Sequence, residues 1–507
     1  MKSKLPQTQI QLTNDKSRRR YLLLTGGTGL VGQYLLKDFL IRDQRIAVIV
    51  RPSKKLSAVK RIEAIMQRWE QRLGRCLPRP VVICGNINQP GLGLSDADQC
   101  WVSEHCYGIL HNAAVLQFAG QSKLHEPWFT NLGGTENVLT AAKEWDIRHF
   151  HYVSTSYVCG KSDRVVKESD LDVGQSFRND YERSKYQAEQ LVSQADHFDS
   201  KTIYRPAVIV GDSETGFTST YHGMFLYLRI FATLVPAQKK DRNGIYQTPI
   251  QMPTSGDEPR NLVPVDWVSS VICHLVSTEA AHNRTYHLVP DECSTARQFI
   301  DACCEYFNSG GVEFVGPDQP LDAKSKFAQL FFENARVYEA YLTSDPIFDK
   351  TNVEKYAGHI QCPAIDAEMI KRFIKFGEEN RWGKKRLAAP EASVWFGQQL
   401  DRLSSITTSI FANLPNVDLA GGGDDRIEVG LNVLGQGGGQ WTLVQNDGGE
   451  FSCRVGLPAV GQPTLQIESS RLASLVDEIE QLGQVTTGQP WDLLTEKIEA
   501  AITLSRA

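Results

Sequence analysis

The chain has 507 residues, 41% of them hydrophobic and 22% charged, and 54 Lys and Arg against 59 Asp and Glu give a net charge of −5. This composition is typical of a globular protein of about three structural units. The mildly acidic balance argues against nucleic-acid binding. The longest apolar run is about half of the roughly 20 residues that a membrane span needs.

The 11 cysteines are scattered and form no CxxC pair. This pattern indicates reduced thiols and a cytoplasmic location. Cys100, His105 and Cys106 lie close together but lack the paired spacing of zinc ligands, so we predict no metal site. The basic residues of segment 1–18 precede no signal-length apolar run, and we interpret this segment as a solvated tail.

From residue 19 to about 215, short apolar runs alternate with helical patterns. This β-α alternation predicts a doubly wound parallel sheet, the Rossmann type of α/β fold. The predicted strands are YLLLTG, RIAVIV, VVICGN, GILHNAAV, HFHYVSTSYV and TIYRPAVIVG. Beyond them, loops, helices and the short strands NLVPV and TYHLV indicate a substrate cap. We therefore place an NADP-binding domain with cap segments at 19–290 and a helical cap extension at 291–385.

Turn residues mark 386–405 as a linker leading into a helix, and a separate α+β domain follows at 406–507. Apolar residues alternate along four runs between 427 and 467, which predicts an antiparallel meander. Two helical patterns close the chain.

The strongest motif is the glycine-rich turn TGGTGLVG, Thr25 to Gly32, which follows the first strand and opens a helix. Gly26 permits the tight turn, Gly29 lets the backbone approach a pyrophosphate, and Gly32 allows close helix–strand packing. The helix amino terminus offers N–H groups to anionic oxygens. The motif therefore predicts nucleotide binding.

The residue after the second strand predicts which nicotinamide cofactor binds. An acidic residue there accepts the ribose 2′-hydroxyl of NAD, whereas this chain has Arg51, followed by Lys54 and Lys55. Arginine pairs bidentately with phosphate. We therefore predict NADPH as the cofactor.

A second constellation is Tyr181 and Lys185, whose i, i+4 spacing puts both on one helix face. A neighbouring ammonium lowers the pKa of a phenol, which then serves as a proton donor to a carbonyl oxygen. Upstream, the strand end at 154–156 supplies hydroxyl groups for the same oxygen. Together with the glycine-rich turn, this pair predicts catalysis.

These motifs resemble the extended short-chain dehydrogenase/reductases. The resemblance implies that Thr155 orients the carbonyl, that Tyr181 is the acid, and that Lys185 binds the nicotinamide ribose and lowers the pKa of Tyr181. It extends to HNAA after the fourth strand and to RPAV beside the nicotinamide; Asn86 replaces the usual aspartate near the adenine. The implied cofactor-binding residues are Thr25, Gly26, Thr28, Gly29, Leu30, Val31, Gly32, Arg51, Asn86, Ile87, Asn112, Ala113, Ala114, Asn131, Lys185, Pro206 and Val208.

Longer segments resemble the fatty acyl-CoA reductases and the thioester-reductase domains, among them RPSKKLSAVKRIEAI, VSTSYVCG and NLVPVDWVSSVICHLV. This resemblance implies NADPH-dependent reduction of a fatty acyl thioester, carried by coenzyme A or an acyl carrier protein, to the aldehyde and onward to the alcohol. RIEVGLNVLGQGGGQWTLVQNDGGEFSCRVG resembles sterol-carrier-type lipid-binding domains; an unrelated interaction domain is the alternative. A lipid-binding domain would shelter part of the acyl chain from water.

Two other functions remain open from the sequence. One is NADP-dependent reduction of another carbonyl, such as a sterol or similar lipid ketone. The other is a non-catalytic NADP-sensing or lipid-carrying scaffold, which the retained Tyr181 and Lys185 disfavour. Release of a thiol separates thioester reduction from both. Acyl length and oligomeric state stay undetermined.

Overall fold

The structure is a computed structural model that describes residues 20–317, 319, 325–341, 344–385, 428–445, 451–459, 462 and 464–470. The predicted basic tail 1–18, the linker 386–405 and the two closing helical patterns lie outside these residues. Among the helices in the described ranges, none combines the length and the apolar character needed to cross a membrane.

The elements are numbered in chain order. The strands are β1 (Tyr21–Thr25), β2 (Ile46–Val50), β3 (Val81–Cys84), β4 (Cys106–His111), β5 (His149–Val153), β6 (Ser200–Pro206), β7 (Val208–Val210), β8 (Tyr246–Met252), β9 (Pro259–Arg260), β10 (Leu262–Pro264), β11 (Thr285–Leu288), β12 (Ser294–Thr295), β13 (Ser309–Phe314), β14 (Glu428–Leu434), β15 (Gly439–Gln445), β16 (Phe451–Val455) and β17 (Thr464–Glu468). The α-helices are α1 (Leu30–Ile41), α2 (Ala58–Leu73), α3 (Asp96–His105), α4 (Thr135–Glu144), α5 (Asp180–Gln194), α6 (Met224–Leu234), α7 (Val265–Ser277), α8 (Ala296–Phe307), α9 (Lys326–Ala335), α10 (Thr351–Ala357) and α11 (Ala367–Glu379).

Seven parallel strands form the central sheet in the order β11-β6-β5-β4-β1-β2-β3. The predicted doubly wound fold is confirmed, and the six predicted strands are its first six. The seventh strand is TYHL, which the sequence placed in the cap. It pairs in parallel with β6 instead, because α7 crosses back over the sheet and delivers β11 to its edge.

Helices cover both faces of this sheet. Helices α1, α2 and α7 share one hydrophobic core with Leu22 and Leu24 of β1. Helices α3, α4 and α5 share another with Tyr21 and Leu23, whose side chains alternate with the first pair. Because both faces are covered, every residue of β1 is buried, and the strand reads as a continuous apolar run.

A third hydrophobic core lies beyond the carboxyl ends of the strands, where the cap was predicted. It joins Phe225 and Phe231 of α6 to Phe327 of α9 and Phe373 of α11. The segments predicted as cap and as cap extension therefore pack as one body. A two-stranded parallel pair, β8 with β13, flanks this core.

The four terminal strands form a separate sheet in the order β16-β15-β14-β17. The pairs β14–β15 and β15–β16 are antiparallel, as the meander predicts. The prediction was wrong for β17, which pairs with β14 in parallel. Period-two alternation identifies the buried face of a strand but does not select its neighbour in the sheet.

This terminal sheet packs against the amino ends of the central strands. The hydroxyl of Tyr21, the first residue of β1, donates to Gln440 at 2.7 Å, and Trp101 donates to the carbonyl of Val455 at 2.9 Å. Arg45, just before β2, donates to the carbonyl of Pro458 at 2.8 Å. The glycine-rich turn follows the opposite, carboxyl end of β1.

Candidate active site

The glycine-rich turn joins β1 to α1 and leaves no room for side chains. A Cβ on Gly26, whose φ is +72°, would lie 2.7 Å from the backbone of Ala113. A Cβ on Gly32 would lie 2.1 Å from the carbonyl oxygen of Gly26. Gly29 is the N-cap of α1, and within the described residues no side-chain hydrogen bond caps this helix. The turn therefore fits the pyrophosphate of a dinucleotide.

Thr25 supports this turn from below. Its Oγ1 lies 2.7 Å from Nδ1 of His111 and accepts the backbone N–H groups of Asn112 and Ala113, each at 3.2 Å. The Nε2 atom of His111 lies 3.0 Å from Oγ1 of Thr135. Burial, together with the nearby Lys185, lowers the pKa of His111 to about 3. The imidazole is therefore neutral and ties the ends of β1 and β4 to α4.

Two arginines lie at the end of the cavity nearest β2. Arg51 was predicted there, and Arg61 joins it from α2. Arg61 donates from Nη2 to Oγ1 of Thr28 at 3.1 Å and from Nη1 to the carbonyl oxygen of Arg51. Sequence reasoning missed Arg61, although the N-cap Ser57 marks where α2 begins and so places Arg61 in its first turn.

The three predicted catalytic side chains line one stretch of the same cavity. Thr155 follows β5, and Tyr181 and Lys185 occupy the first two turns of α5. Burial raises the pKa of Tyr181 to about 12, with Glu182 adding to the rise and a hydrogen bond with Thr155 opposing it. The sequence predicted a lowered pKa; burial outweighs that effect because it removes water from the phenolate.

Lys185 is 2% exposed, and its partners are on β5. Its Nζ donates to the hydroxyl of Tyr152 at 2.9 Å and to the carbonyl of Val153 at 2.8 Å. Burial lowers the pKa of Lys185 to about 7, against the opposing effect of Glu189. Sequence reasoning missed Tyr152, because a tyrosine inside an apolar strand reads as ordinary core.

Glu189 lies one helical turn beyond Lys185 and joins two strand ends. It accepts hydrogen bonds from the hydroxyl of Ser154 and from Nε of Arg205, the latter at 2.9 Å. The hydroxyl of Ser154 is thus engaged away from the cavity. That of Thr155 lies 3.4 Å from the carbonyl of Pro206 and remains the hydroxyl beside Tyr181.

Three of the predicted cofactor-binding residues lie behind the cavity wall: Thr25, Gly32 and Asn131. The amide of Asn131 accepts from the N–H of Val115 at 2.8 Å and donates to Ser184 at 3.0 Å, which joins the loop after β4 to α5. The predicted cofactor-binding residues that line the cavity besides Lys185 are Gly26, Thr28, Gly29, Leu30, Val31, Arg51, Asn86, Ile87, Asn112, Ala113, Ala114, Pro206 and Val208.

The cavity has a volume of about 680 Å³ and runs from the glycine-rich turn past Tyr181 into the cap. Its cap wall is largely aromatic and includes Phe118, Tyr227, Phe299, Phe331, Tyr338 and Tyr341. All of its lining residues fall between Gly26 and Asp345. The expectation that the terminal domain shelters the acyl chain is thus not met by its described strands, which pack at the other edge of the sheet.

Residues 24–272 match the family model described as Male sterility protein. This part of the chain belongs to the Male sterility protein family. Aldehyde reductase lnaA of Aspergillus flavus is 26% identical over 396 residues, which cover 70% of this chain and 36% of that protein. One protein of the linear gramicidin synthase of Brevibacillus parabrevis is 27% identical over 386 residues, which cover 71% and 7%. The chain thus spans about a third or less of these two relatives.

Solved structures with this fold include the terminal R domain from the myxalamid PKS-NRPS biosynthetic pathway, at a TM-score of 0.57 and 27% identity over 74% of this chain and 93% of that one. A thiolation-reductase di-domain from an archaeal non-ribosomal peptide synthetase gives a TM-score of 0.56 and 20% identity, over 72% and 76%. With the family match, these relatives make the chain an oxidoreductase of the short-chain dehydrogenase/reductase type with an NAD(P)-binding domain. The sterol-carrier resemblance of the terminal strands stays a prediction.

Proposed function

We propose that this member of the Male sterility protein family is an NADPH-dependent reductase that releases acyl groups from thioesters as aldehydes. The observation that carries the proposal is the continuity of one cavity. It joins the glycine-rich turn, the group formed by Thr155, Tyr181 and Lys185, and the aromatic wall of the cap. A cofactor on the turn and an acyl group against the cap would meet beside Tyr181.

The two arginines support NADPH over NADH. Arg51 and Arg61 line the cavity where β2 ends, beside the expected site of the adenine ribose. Guanidinium groups pair well with a 2′-phosphate, which only NADPH carries. The contacts of Arg61 with Thr28 and with the backbone of Arg51 hold the second guanidinium in place before any cofactor binds.

Bound NADPH supplies a hydride to the carbonyl carbon of the thioester. Thr155 and Tyr181 would hydrogen-bond the carbonyl oxygen as it gains negative charge. Because the pKa of Tyr181 is about 12, the phenol keeps its proton at neutral pH and acts as a donor. When the carbonyl re-forms, the carbon–sulfur bond breaks, its electron pair leaves with sulfur, and the thiolate takes up a proton. The products are an aldehyde and a free thiol.

A second NADPH would reduce the aldehyde to the alcohol in the same site. In this step no leaving group departs, so the oxygen keeps the proton that Tyr181 donates. Lys185, held beside this tyrosine, would bind the nicotinamide ribose. The aldehyde reductase of Aspergillus flavus among the relatives supports this second reaction.

We assign the acyl group to the cap, because aromatic side chains there exclude water around an apolar chain. A fatty acyl group is the proposed substrate. An acyl carrier protein is the proposed donor, with coenzyme A as the alternative, because the relatives include a thiolation-reductase di-domain and a reductase domain of a peptide synthetase pathway.

The test is to incubate the purified chain with NADPH and a panel of short and long acyl groups, each supplied on coenzyme A and on a carrier protein. NADPH oxidation, free thiol and organic product are measured together. One NADPH per thiol indicates an aldehyde product, and two indicate an alcohol. NADPH consumption without thiol release, as from a lipid ketone, would overturn thioester reduction, and so would inertness toward the whole panel.

A further inference from the structure

A row of side chains crosses the carboxyl edge of the sheet on the face covered by α5. Strand register places Thr25 of β1 beside His111 of β4, and His111 beside Tyr152 of β5. Thr25 contacts His111 at 2.7 Å, and the rings of His111 and Tyr152 stack with centroids 5.6 Å apart. The row thus connects the start of the glycine-rich turn to Tyr152.

Lys185 reaches the end of this row from α5. Its Nζ lies 2.9 Å from the hydroxyl of Tyr152, 2.8 Å from the carbonyl of Val153 and 4.3 Å from the centre of the tyrosine ring. We propose that Tyr152 is a positioning residue that holds the ammonium group of Lys185 at the cavity wall. This inference rests on the proposed function, in which Lys185 binds the nicotinamide ribose.

The hydroxyl matters because the ammonium is buried. An ammonium group has three N–H donors, and each one left without an acceptor in a buried site disfavours the charged form. Tyr152 and Val153 accept two of these donors, which leaves the third to a ribose hydroxyl. Removing the hydroxyl of Tyr152 therefore lowers the pKa of Lys185 further and lets its side chain leave this position.

Other titratable groups face Lys185 as well. Glu189, on the same helix, favours the charged lysine. His111 of β4 is neutral, because burial lowers its pKa to about 3. The phenols of Tyr181 on α5 and Tyr152 on β5 are neutral too, because burial raises the pKa of each. Replacing Tyr152 by Phe changes none of these charges, so an altered pH dependence reports the lost hydrogen bond.

The test compares Tyr152→Phe with Tyr204→Phe. Tyr204 is an equally buried tyrosine on the adjacent strand β6, and its hydroxyl contacts His151 at 2.9 Å instead of a lysine. The dissociation constant of NADPH is measured from about pH 5 to 9. In Tyr152→Phe, the pH above which NADPH affinity falls should move down by about one unit. Tyr204→Phe should keep the wild-type profile while losing a similar amount of thermal stability.

Replacing Tyr152 by 3-fluorotyrosine covers the case in which the phenylalanine variant does not fold. Fluorine keeps the shape of the ring and weakens the hydroxyl oxygen as an acceptor, so a smaller shift in the same direction is expected. A wild-type pH profile in the folded variants, or equal shifts in the Tyr152 and Tyr204 variants, would overturn the assignment. NADPH binding needs no acyl substrate, so a negative thioester panel overturns the proposed activity and leaves this test intact.

Discussion

The phenol oxygen of Tyr21 donates a hydrogen bond to Oε1 of Gln440 at 2.7 Å, across 419 positions of sequence. The same oxygen accepts the backbone N–H of Leu457 at 2.8 Å. Tyr21 is 1% exposed, so the terminal sheet covers the beginning of the central strand β1. This contact makes the terminal sheet part of the packing of the reductase fold.

Replacing Tyr21 by Phe should lower the free energy of unfolding by about 1–2 kcal/mol, because a buried amide oxygen and a buried N–H lose their partner. Turnover should stay at the wild-type level, since Tyr21 and the glycine-rich turn are at opposite ends of β1. Denaturant unfolding measures the first effect and steady-state kinetics the second. Equal stability of the variant and the wild type would show that the two sheets do not make this contact in solution.

Replacing Tyr181 by Phe should lower kcat by roughly 10²–10⁴-fold, because the proton donor to the carbonyl oxygen is lost. The dissociation constant of NADPH should change little. Tyr186→Phe is the matched control, since Tyr186 is on the same helix and its hydroxyl contacts Gln190 at 2.7 Å. Full activity of Tyr181→Phe would remove Tyr181 from the mechanism.

Replacing Arg61 by Gln should raise the KM for NADPH by about tenfold and leave the KM for NADH unchanged, because only NADPH carries the 2′-phosphate. Arg51→Asp should shift the preference further toward NADH by adding a carboxylate for the ribose hydroxyls. The control is Arg68→Gln, which removes the same charge from α2 at a position that contacts Gln33 at 2.9 Å. If Arg61→Gln weakens both cofactors equally, the 2′-phosphate is bound elsewhere.

Replacing Lys185 by Met should make the cofactor-free protein more stable near pH 7 and abolish turnover. Burial lowers the pKa of Lys185 from 10.5 to about 7, so the unfolded chain binds more protons than the folded one between these values. Stability of the wild type should therefore rise with pH across this window through this group. The advantage of the variant should be largest below about pH 7 and shrink toward pH 10.5. A constant difference between the two proteins across the window would contradict this.

Local patterns in the sequence account for much of the fold and of the site. The six leading strands, the position of the glycine-rich turn and the shared helix face of Tyr181 and Lys185 all depend on residues close together in the chain. Hydrophobic periodicity and turn chemistry act over this range. These features were therefore predictable one element at a time.

Contacts between distant segments were not predictable in this way. Whether TYHL joins β6, whether β17 pairs with β14 in parallel, and where the terminal sheet packs all depend on pairing between complete elements. Arg61 enters the cavity because α2 returns toward the glycine-rich turn, and Tyr152 meets Lys185 because α5 crosses β5. The pKa of Tyr181 follows the same division. The sequence contains its neighbour on the helix, whereas folding decides how much water surrounds the phenol, and the loss of that water has the larger effect.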